Sequence, residues 1–496
     1  MIVSPLRWVG IVAIAGAVAV AAAPGRAQAF CGFFVAGSDA KLTNNASQVV
    51  LMRKGNRTVM TMSNSYQGPP ENFAMVVPVP VVLHKEDVKT LPADVFDRVD
   101  SLSAPRLVEY WEQDPCAPQA ERTMSLQGIG RGAGGSGKMG THAGKDLGVT
   151  IEAQFVAGEY QILILSARES GGLETWLRQE KYSIPQGAAA ALAPYVRDKS
   201  KFFVAKVDIT KVKHDAQGNV QLSPLRFSFD ANELRLPVRL GLLNTGGKQD
   251  LIVYVIHPTS RFEVANYANT FIPTNLEVAD GVRNNFAAFF AELFDATIEK
   301  MGRKVVVTEY AWQTSGCDPC PTPPLTPQDL STLGLDVFDG GPVRSSPLYG
   351  ISWILTRLHT RYSKETLSED LIFREAKPVT GGRANWNGTN GDEGAVIGAN
   401  PSGGILGLAP GGGYNNFQGR YIIRHYWDKP VACKDPHYDQ WGGPPGIPFG
   451  QIKPTAAKGL ATAPRGKVVL PDEVRSPVPL LGIAGKPAHR RKAADK

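Results

Sequence analysis

The chain has 496 residues, and 43% of them are hydrophobic, which is enough for packed cores. Its length exceeds the roughly 250–300 residues at which one hydrophobic core stops growing, so we expect two or more structural units. The 52 glycines and 37 prolines argue against a helix bundle and predict many turns and long loops. The net charge of +7 is modest, and no basic stripe is interleaved with aromatic residues. A nucleic-acid partner is therefore not expected.

Residues 1–29 have the pattern of a secretory signal peptide. An apolar stretch from Trp8 to Ala23 is followed by Ala27 and Ala29, the small side chains that a signal peptidase accepts. The stretch is shorter than the roughly 20 apolar residues of a transmembrane helix, so we favour a signal peptide over a membrane anchor. No later apolar run reaches that length. The sequence thus predicts an exported protein that begins at Phe30. Its predicted location is the periplasm or the outside of the cell, either free or associated with the cell envelope.

Alternating hydrophobic patterns predict strands, and apolar residues at helical spacing predict helices. The predicted strands are 48–52, 58–62, 149–155, 160–165, 202–209, 220–229, 251–256, 303–312, 354–359, 371–375 and 420–426. The first two form a hairpin through 53–57. The predicted helices are 93–102, 173–180, 188–197 and 285–301, with a short one from Pro105 through Trp111.

The run 73–80 contains Pro78 and Pro80. Proline cannot donate to a strand ladder, so we expect this run at a sheet edge or a strand end. Strands and helices do not alternate regularly along the chain. The predicted fold class is therefore α+β, with mostly antiparallel strands, several helices and long Gly/Pro-rich loops, rather than a doubly wound parallel sheet.

Two internal segments predict loops. The segment 132–138, Gly-Ala-Gly-Gly-Ser-Gly-Lys, is similar to a phosphate-binding loop. Met139 stands where that motif needs a Ser or Thr hydroxyl for magnesium, so a flexible linker is preferred. The long segment 381–419 is dense in Gly, Asn and Pro. Its aromatic residues either anchor the loop to the body or line a sugar or peptide groove: Trp386, Tyr414 and Phe417.

The last segment, 451–496, combines many prolines and alanines with a basic C-terminus. It offers little to bury and predicts a disordered, Pro-rich basic tail. We expect the tail to keep the chain soluble, and the alternative is attachment to anionic envelope polymers or lipid headgroups.

Three further blocks are Asn-Ala-Ser-Gln-Val-Val-Leu at 45–51, Phe-Ala-Met-Val-Val-Pro-Val-Pro at 73–80 and Ala-Pro-Arg-Leu-Val-Glu-Tyr-Trp at 104–111. Together they resemble the bacterial domain of unknown function 2330 family. The resemblance extends from about residue 30 to about residue 441, so we expect a family-like region over 30–450. It implies an exported protein, and it carries no activity or catalytic residue to this chain.

Five cysteines are the main candidates for chemistry: Cys31, Cys116, Cys317, Cys320 and Cys433. In an exported protein we expect one or two disulfides and one cysteine left over. Cys317-Asp-Pro-Cys320 has the spacing of thiol-disulfide oxidoreductases. The prolines that follow exclude a helix beginning at Cys317, whose dipole would lower the thiol pKa. A structural disulfide that clamps a proline-rich turn is therefore preferred over redox catalysis.

A zinc site is the less favoured alternative. Cys317, Cys320, Cys433 and His437 would supply four tetrahedral ligands, although more than a hundred residues separate the two pairs. No Ser, His and acid set is recognisable by spacing. Three histidines in or beside predicted strands are interpreted as ordinary packed or surface residues: His84, His257 and His359.

Two functions from different classes remain. The preferred one is a non-catalytic envelope or secreted protein that binds an envelope protein, polymer or peptide and needs no cofactor. The other is an exported thiol-disulfide or metal-dependent enzyme that uses Cys317 and Cys320. A readily reducible, reactive cysteine pair would favour the enzyme, and an inert disulfide would favour the binding protein.

Overall fold

The structure, a computed structural model, describes residues 33–36, 46–63, 73–117, 148–182, 184–214, 220–243, 247–338, 353–382, 415–447, 453–457, 459–460 and 463–486. Over these residues the fold is α+β with mostly antiparallel sheets, which confirms the predicted class. The predicted signal peptide, the segment 132–138 and most of 381–419 lie outside the described residues. So do Cys31, Trp386 and Tyr414.

Most predicted elements are present, with bounds that differ by a few residues. The strands are β1 (Phe33–Ala36), β2 (Ala46–Lys54), β3 (Arg57–Met62), β4 (Phe73–Val79), β5 (Val88–Thr90), β6 (Arg106–Glu112), β7 (Val149–Ala157), β8 (Tyr160–Ala167), β9 (Lys201–Val207), β10 (Lys213–His214), β11 (Val220–Gln221), β12 (Leu225–Asp230), β13 (Leu234–Leu236), β14 (Gln249–His257), β15 (Arg261–Val264), β16 (Ala268–Phe271), β17 (Leu276–Glu277), β18 (Val305–Gln313), β19 (Ile354–Tyr362), β20 (Leu371–Ala376), β21 (Thr380–Gly381), β22 (Asn416–Gln418), β23 (Arg420–His425), β24 (Trp441–Gly442) and β25 (Thr455–Ala456). The α-helices are α1 (Asp94–Ser103), α2 (Ser170–Gln179), α3 (Ala188–Arg197), α4 (Phe286–Lys300), α5 (Pro327–Leu333) and α6 (Leu470–Glu473).

The largest sheet, called here the central sheet, has the strand order β21-β22-β18-β19-β14-β2-β3-β12-β5, and β16 also pairs with β18. Its β2–β3 hairpin is the predicted one, and Gly55 in the turn has a φ of +59°, a left-handed value that glycine adopts without steric cost. Every residue of β14 is buried, because it lies in the middle of the sheet between β19 and β2.

A second sheet, with the order β1-β4-β9-β8-β7, packs on one face of the central sheet. Helices α2 and α3 cover its other face. Pro78 pairs across from Phe202 of β9, whereas the described residues of β1 pair only with Phe73–Val76. Thus β4 is an inner strand at its start, where it pairs with both β1 and β9. Pro78 lies beyond the residues of β4 that pair with the described part of β1, and proline, which has no N–H to donate, is tolerated at such a position.

The opposite face of the central sheet is covered by α1 and α5 at one end and by α4 at the other. Four α1 residues that the sequence placed on one face are buried against it: Val95, Phe96, Val99 and Leu102. The phenylalanine-rich face of α4 also packs on the third sheet, ordered β17-β23-β6-β24, in which β25 pairs with β6 as well. Helix α4 therefore joins the two sheets through one core.

The predicted short helix from Pro105 to Trp111 is wrong, because these residues form strand β6. Pro105 follows the end of α1 rather than starting a helix. Val, Tyr and Trp side chains favour strands, and β6 has a parallel partner in β23 and antiparallel partners in β24 and β25. Those partners come from more than 300 residues further along the chain, so local pattern did not reveal them.

The prediction of a disordered tail over 451–496 is corrected for its described part. Leu470 of α6 packs with α4, and Val474 and Val478 are fully buried in the same core. A few apolar side chains spaced among prolines are enough to cover α4. The high Pro and Lys content of the segment led to the prediction of disorder, because it outweighed these few apolar residues. No helix within the described ranges is long and apolar enough to span a membrane.

Candidate functional site

The described cysteines form two pairs at disulfide-bonding distance, Cys317 with Cys320 and Cys116 with Cys433. The four residues of the zinc alternative are therefore not brought together, since Cys433 lies at Cys116. His437 is exposed beside that second pair, where its backbone N–H donates to the Pro115 carbonyl. In the part of the chain that the structure describes, no group of three or more His, Cys, Asp or Glu side chains is placed to hold a metal.

The first pair closes a loop that follows β18, called here the disulfide loop, residues 317–324. Both of its cysteines are half-buried. No helix begins at Cys317: the next helix, α5, starts at Pro327 and is capped by the Thr326 side chain, which accepts from the Asp329 N–H. A thiol at position 317 would therefore lack the helix dipole that activates redox cysteines.

Two buried side chains hold the disulfide loop from below. Arg106 of β6 donates to the Pro319 carbonyl at 3.0 Å, and Gln418 of β22 donates to the Asp318 carbonyl. Both side chains are fully buried. Gln418 also donates to the Gly382 carbonyl at 2.6 Å. The loop backbone is thereby fixed to the sheets at two successive carbonyls.

Between the disulfide loop and β6 lies a cavity of about 400 Å³, called here the disulfide cavity. One wall consists of the disulfide and the prolines of the loop, and the other includes Val108 and Tyr110 of β6. Glu109 and the exposed Lys453 also line it. Its volume falls within the range of small-ligand sites, and its walls are mostly apolar with few polar groups, which is typical of such sites.

Two buried arginines, Arg106 of β6 and Arg420 of β23, lie behind the cavity lining. Arg106 also donates to the Leu102 and Ala104 carbonyls, so its three hydrogen-bond acceptors are uncharged. Burial lowers the pKa of Arg106 to about 10, and the guanidinium therefore stays charged at neutral pH. Arg420 donates to the Asn275 side chain and to the Tyr110 hydroxyl, each at 2.8 Å.

The charges at the mouth of the cavity differ in how they are paired. Glu109 accepts two hydrogen bonds from Arg283, at 2.7 and 2.6 Å, and lies 2.8 Å from His425 Nε2. Burial alone would raise the Glu109 pKa, but these hydrogen bonds outweigh it and lower the pKa. The Lys453 ammonium makes no hydrogen bond or ion pair with any residue that the structure describes.

A larger cavity of about 670 Å³ lies beside α3, and Tyr195 and Asp370 line it. The Tyr195 hydroxyl donates to Asp370 at 2.7 Å, and the Val238 N–H donates to the same carboxyl oxygen at 3.1 Å. Burial raises the pKa of Asp370. Arg235 at its rim pairs with Glu233 at 2.8 Å. Its charged groups thus already have partners within the protein.

Sequence reasoning missed a third feature, a line of buried ionic side chains called here the buried charge chain. At its centre, His359 Nδ1 lies 2.6 Å from Glu309 and its Nε2 lies 3.2 Å from Asp250. Arg357 donates to Glu309 at 2.6 Å, and Arg465 donates to Asp250 at 3.1 Å. Of these five side chains, all but Arg465 are at least nine-tenths buried, and the three that extend the chain at its ends are half-buried. The complete chain alternates four carboxylates with four basic groups: Asp100, Arg357, Glu309, His359, Asp250, Arg465, Asp295 and Arg361.

Both ring nitrogens of His359 face carboxylates, so each is best satisfied as a donor and the ring is an imidazolium. Burial opposes this charge, but Glu309 and Asp250 outweigh it and raise the His359 pKa. The same contacts lower the pKa of both carboxyls against the effect of burial. Phe294 of α4 stacks on the ring with centroids 3.9 Å apart.

A pattern in the sequence pointed toward this chain. Arg357, His359 and Arg361 recur at every second position of a strand whose other residues are Ile, Leu, Thr and Tyr, which places three basic groups on one face. The interpretation of His359 as an ordinary packed residue overlooked that spacing. His84 is exposed, and His257 packs edge-on against Phe262 at 5.1 Å.

Of the three aromatic residues in the long loop, Phe417 is described. It is fully buried in β22 and packs edge-to-face on Phe271 at 5.2 Å. It therefore anchors the end of the loop to the core rather than lining a groove.

A family model described as an uncharacterized protein conserved in bacteria matches residues 25–374. No curated protein and no solved structure matches the chain. The match includes the disulfide loop and the central part of the buried charge chain, and it ends before β22, β23 and the C-terminal segment. Because it covers well over half of the sequence, the chain belongs to the bacterial domain of unknown function 2330 family.

Proposed function

We propose that this protein is a non-catalytic binding protein that acts outside the cytoplasm and takes its ligand into the disulfide cavity. The observation that carries the proposal is the preformed cavity wall, fixed by Arg106 and Gln418 through the carbonyls of the disulfide loop. A wall that is rigid before binding lowers the entropic cost of association. The ligand is then a small molecule, or a short part of an envelope protein, polymer or peptide.

Two features support a location outside the cytoplasm. The N-terminal 29 residues have the charge, apolar and small-residue pattern of a signal peptide. The two cysteine pairs at bonding distance suit an oxidising compartment, since disulfides rarely persist in the cytoplasm. Intact mass spectrometry of the secreted or periplasmic protein tests this: a chain that begins at Phe30 and contains two disulfides supports export, and a full-length reduced chain opposes it.

Binding is tested with N-phenyl-1-naphthylamine, a neutral dye that fluoresces in apolar sites. Thr322 lines the cavity and is half-exposed, so Thr322→Trp fills the space from its mouth with little effect on the fold. We expect the wild type and the matched control Thr322→Ser to bind the dye, and Thr322→Trp to lose binding. Equal binding by all three proteins would place the dye elsewhere and contradict the proposed site.

The rival function is thiol-disulfide exchange by Cys317 and Cys320, which is favoured by the position of these half-buried cysteines in the cavity lining. The lack of a helix at Cys317 opposes it. Reduction of insulin by dithiothreitol separates the two functions. We expect the wild type and Cys317→Ser to be equally inactive, and catalysis that disappears in Cys317→Ser would replace the binding function with a redox one.

A further inference from the structure

We propose that the disulfide cavity binds a small amphiphilic carboxylate, with an apolar ring-sized body between the proline wall and β6 and with its carboxylate on Lys453. This inference rests on the proposed function and specifies the ligand class of the same site.

The first support is the charge of Lys453. Its ammonium lies on the lining of an apolar cavity and has no partner among the described residues. Glu109, the carboxylate in the same lining, is already held by Arg283 and His425. An incoming carboxylate can therefore pair with this ammonium without displacing an ion pair of the residues that the structure describes.

The second support is the buried charge beneath the cavity. Arg106 lies directly under the disulfide loop and gives its hydrogen bonds to uncharged carbonyls. Asp318, the carboxylate of the loop itself, acts electrostatically on Arg106 and offsets part of this charge. The ionic groups at and beneath the cavity are nevertheless net positive, because four cations stand against two carboxylates: Arg106, Arg283, Arg420 and Lys453 against Glu109 and Asp318. A buried charge is poorly screened by water, so an anion is favoured over a cation of the same shape.

The third support is the shape and polarity of the walls. The lining consists mainly of prolines, the disulfide, Val108 and Tyr110, with Glu109, Thr322 and Lys453 as its polar residues. Such walls offer apolar contact and few hydrogen bonds, so the body of the ligand is apolar. The volume of about 400 Å³ accommodates a bicyclic ring but not a folded polymer segment, and rigid rings lose little conformational entropy on binding.

The test compares 2-naphthoate with 2-naphthamide, which has the same shape and no charge, by isothermal titration calorimetry on the mature full-length chain. We expect the carboxylate to bind about two- to fivefold more tightly, the contribution of one exposed ion pair. Lys453→Met should reduce naphthoate affinity to that of the amide. Lys300→Met, which removes an exposed lysine from the end of α4, should leave it unchanged.

Each outcome bears on one proposal. Equal affinities for the acid and the amide, both lost in Thr322→Trp, would overturn the anionic ligand class while preserving the binding site. Binding of neither compound, together with no dye binding, would overturn the binding function itself. The source of the carboxylate is distinguished with N-acetyl-Ala-Ala-Phe and its amide: a preference for this free acid over naphthoate indicates a peptide C-terminus, and the reverse indicates a free aryl acid.

Discussion

Replacing His359 by glutamine removes the central cation of the buried charge chain and leaves the carboxylates of Glu309 and Asp250 facing a neutral amide. Breaking a buried ion pair by removal of one partner costs about 3–5 kcal/mol. Glu309 keeps Arg357 and Asp250 keeps Arg465, which places the cost at the lower end of that range. We therefore expect His359→Gln to lower the free energy of unfolding by about 3 kcal/mol.

The pH dependence of stability gives a sharper test. The His359 pKa is raised above its ordinary value of 6.5 in the folded protein, so its stabilising contribution is fully present below pH 6.5 and is lost as the pH rises through the folded pKa. The lowered pKa values of Glu309 and Asp250 act on the acid side, where their contribution is lost as the pH falls through those folded values.

The assay is urea unfolding of the wild type and His359→Gln between pH 5 and pH 9. The wild type should lose stability toward alkaline pH by up to about 1.4 kcal/mol per unit, and the variant should lack that slope. His437→Gln is the matched control, because His437 is exposed, and it should change stability by less than about 0.5 kcal/mol. A wild-type slope that persists in His359→Gln would refute the assignment of the proton to this imidazole.

Three further changes test other parts of the fold, each by urea unfolding. Gly382→Ala places a Cβ against a backbone oxygen of β22 at a φ of +73°, and it should lower the free energy of unfolding by about 2–5 kcal/mol. Gly55→Ala, at a φ of +59° in open space, should lower it by only about 1–2 kcal/mol. Similar losses in the two variants would contradict the close approach of Gly382 to β22. Replacing Cys116 and Cys433 by serine removes a cross-link between residues 317 positions apart and should cost about 2–4 kcal/mol, so an unchanged midpoint would indicate that the bond is not formed. Arg465→Met leaves Asp250 and Asp295 without this partner and should cost about 2 kcal/mol, the range of hydrogen bonds to charged groups. Residues 463–486 should also be proteolysed faster, and resistance equal to that of the wild type would argue against Arg465 as the anchor of that segment.

The local hydrophobic pattern of the sequence was sufficient to predict most individual strands and helices. The hairpin turn at Gly55 and the apolar face of α4 depend on neighbouring residues alone, and both are where the sequence placed them. Strand β6 could not be assigned in this way, because its partners lie hundreds of residues away and Pro105 is also a common first residue of helices. The C-terminal segment was missed for a related reason, since burial of Val474 and Val478 depends on the surface of α4.

The candidate site was only partly predictable. The prolines after Cys320 predicted that no helix begins at Cys317, and the next helix starts at Pro327. The structure places Cys317 and Cys320 at disulfide-bonding distance, and a structural role for that bond stays a prediction. The cavity was not predictable, because Val108, Tyr110 and Lys453 join the loop only through the tertiary fold. Arg106 and Gln418 were missed for the same reason, since no local pattern identifies a side chain that binds the carbonyls of a distant loop.

The parallel pairing of β6 with β23 has a consequence for how the chain is made. Tyr110 and Arg420, which are hydrogen-bonded in the third sheet, are 310 residues apart in sequence. A nascent chain must therefore carry β6 without its main partner until nearly all of the protein has been synthesised, and contacts of this range slow folding. A fragment that stops at the end of the family match leaves that strand edge open to pairing with other chains, so expression of the matched region alone should give aggregates where the full chain gives a soluble product.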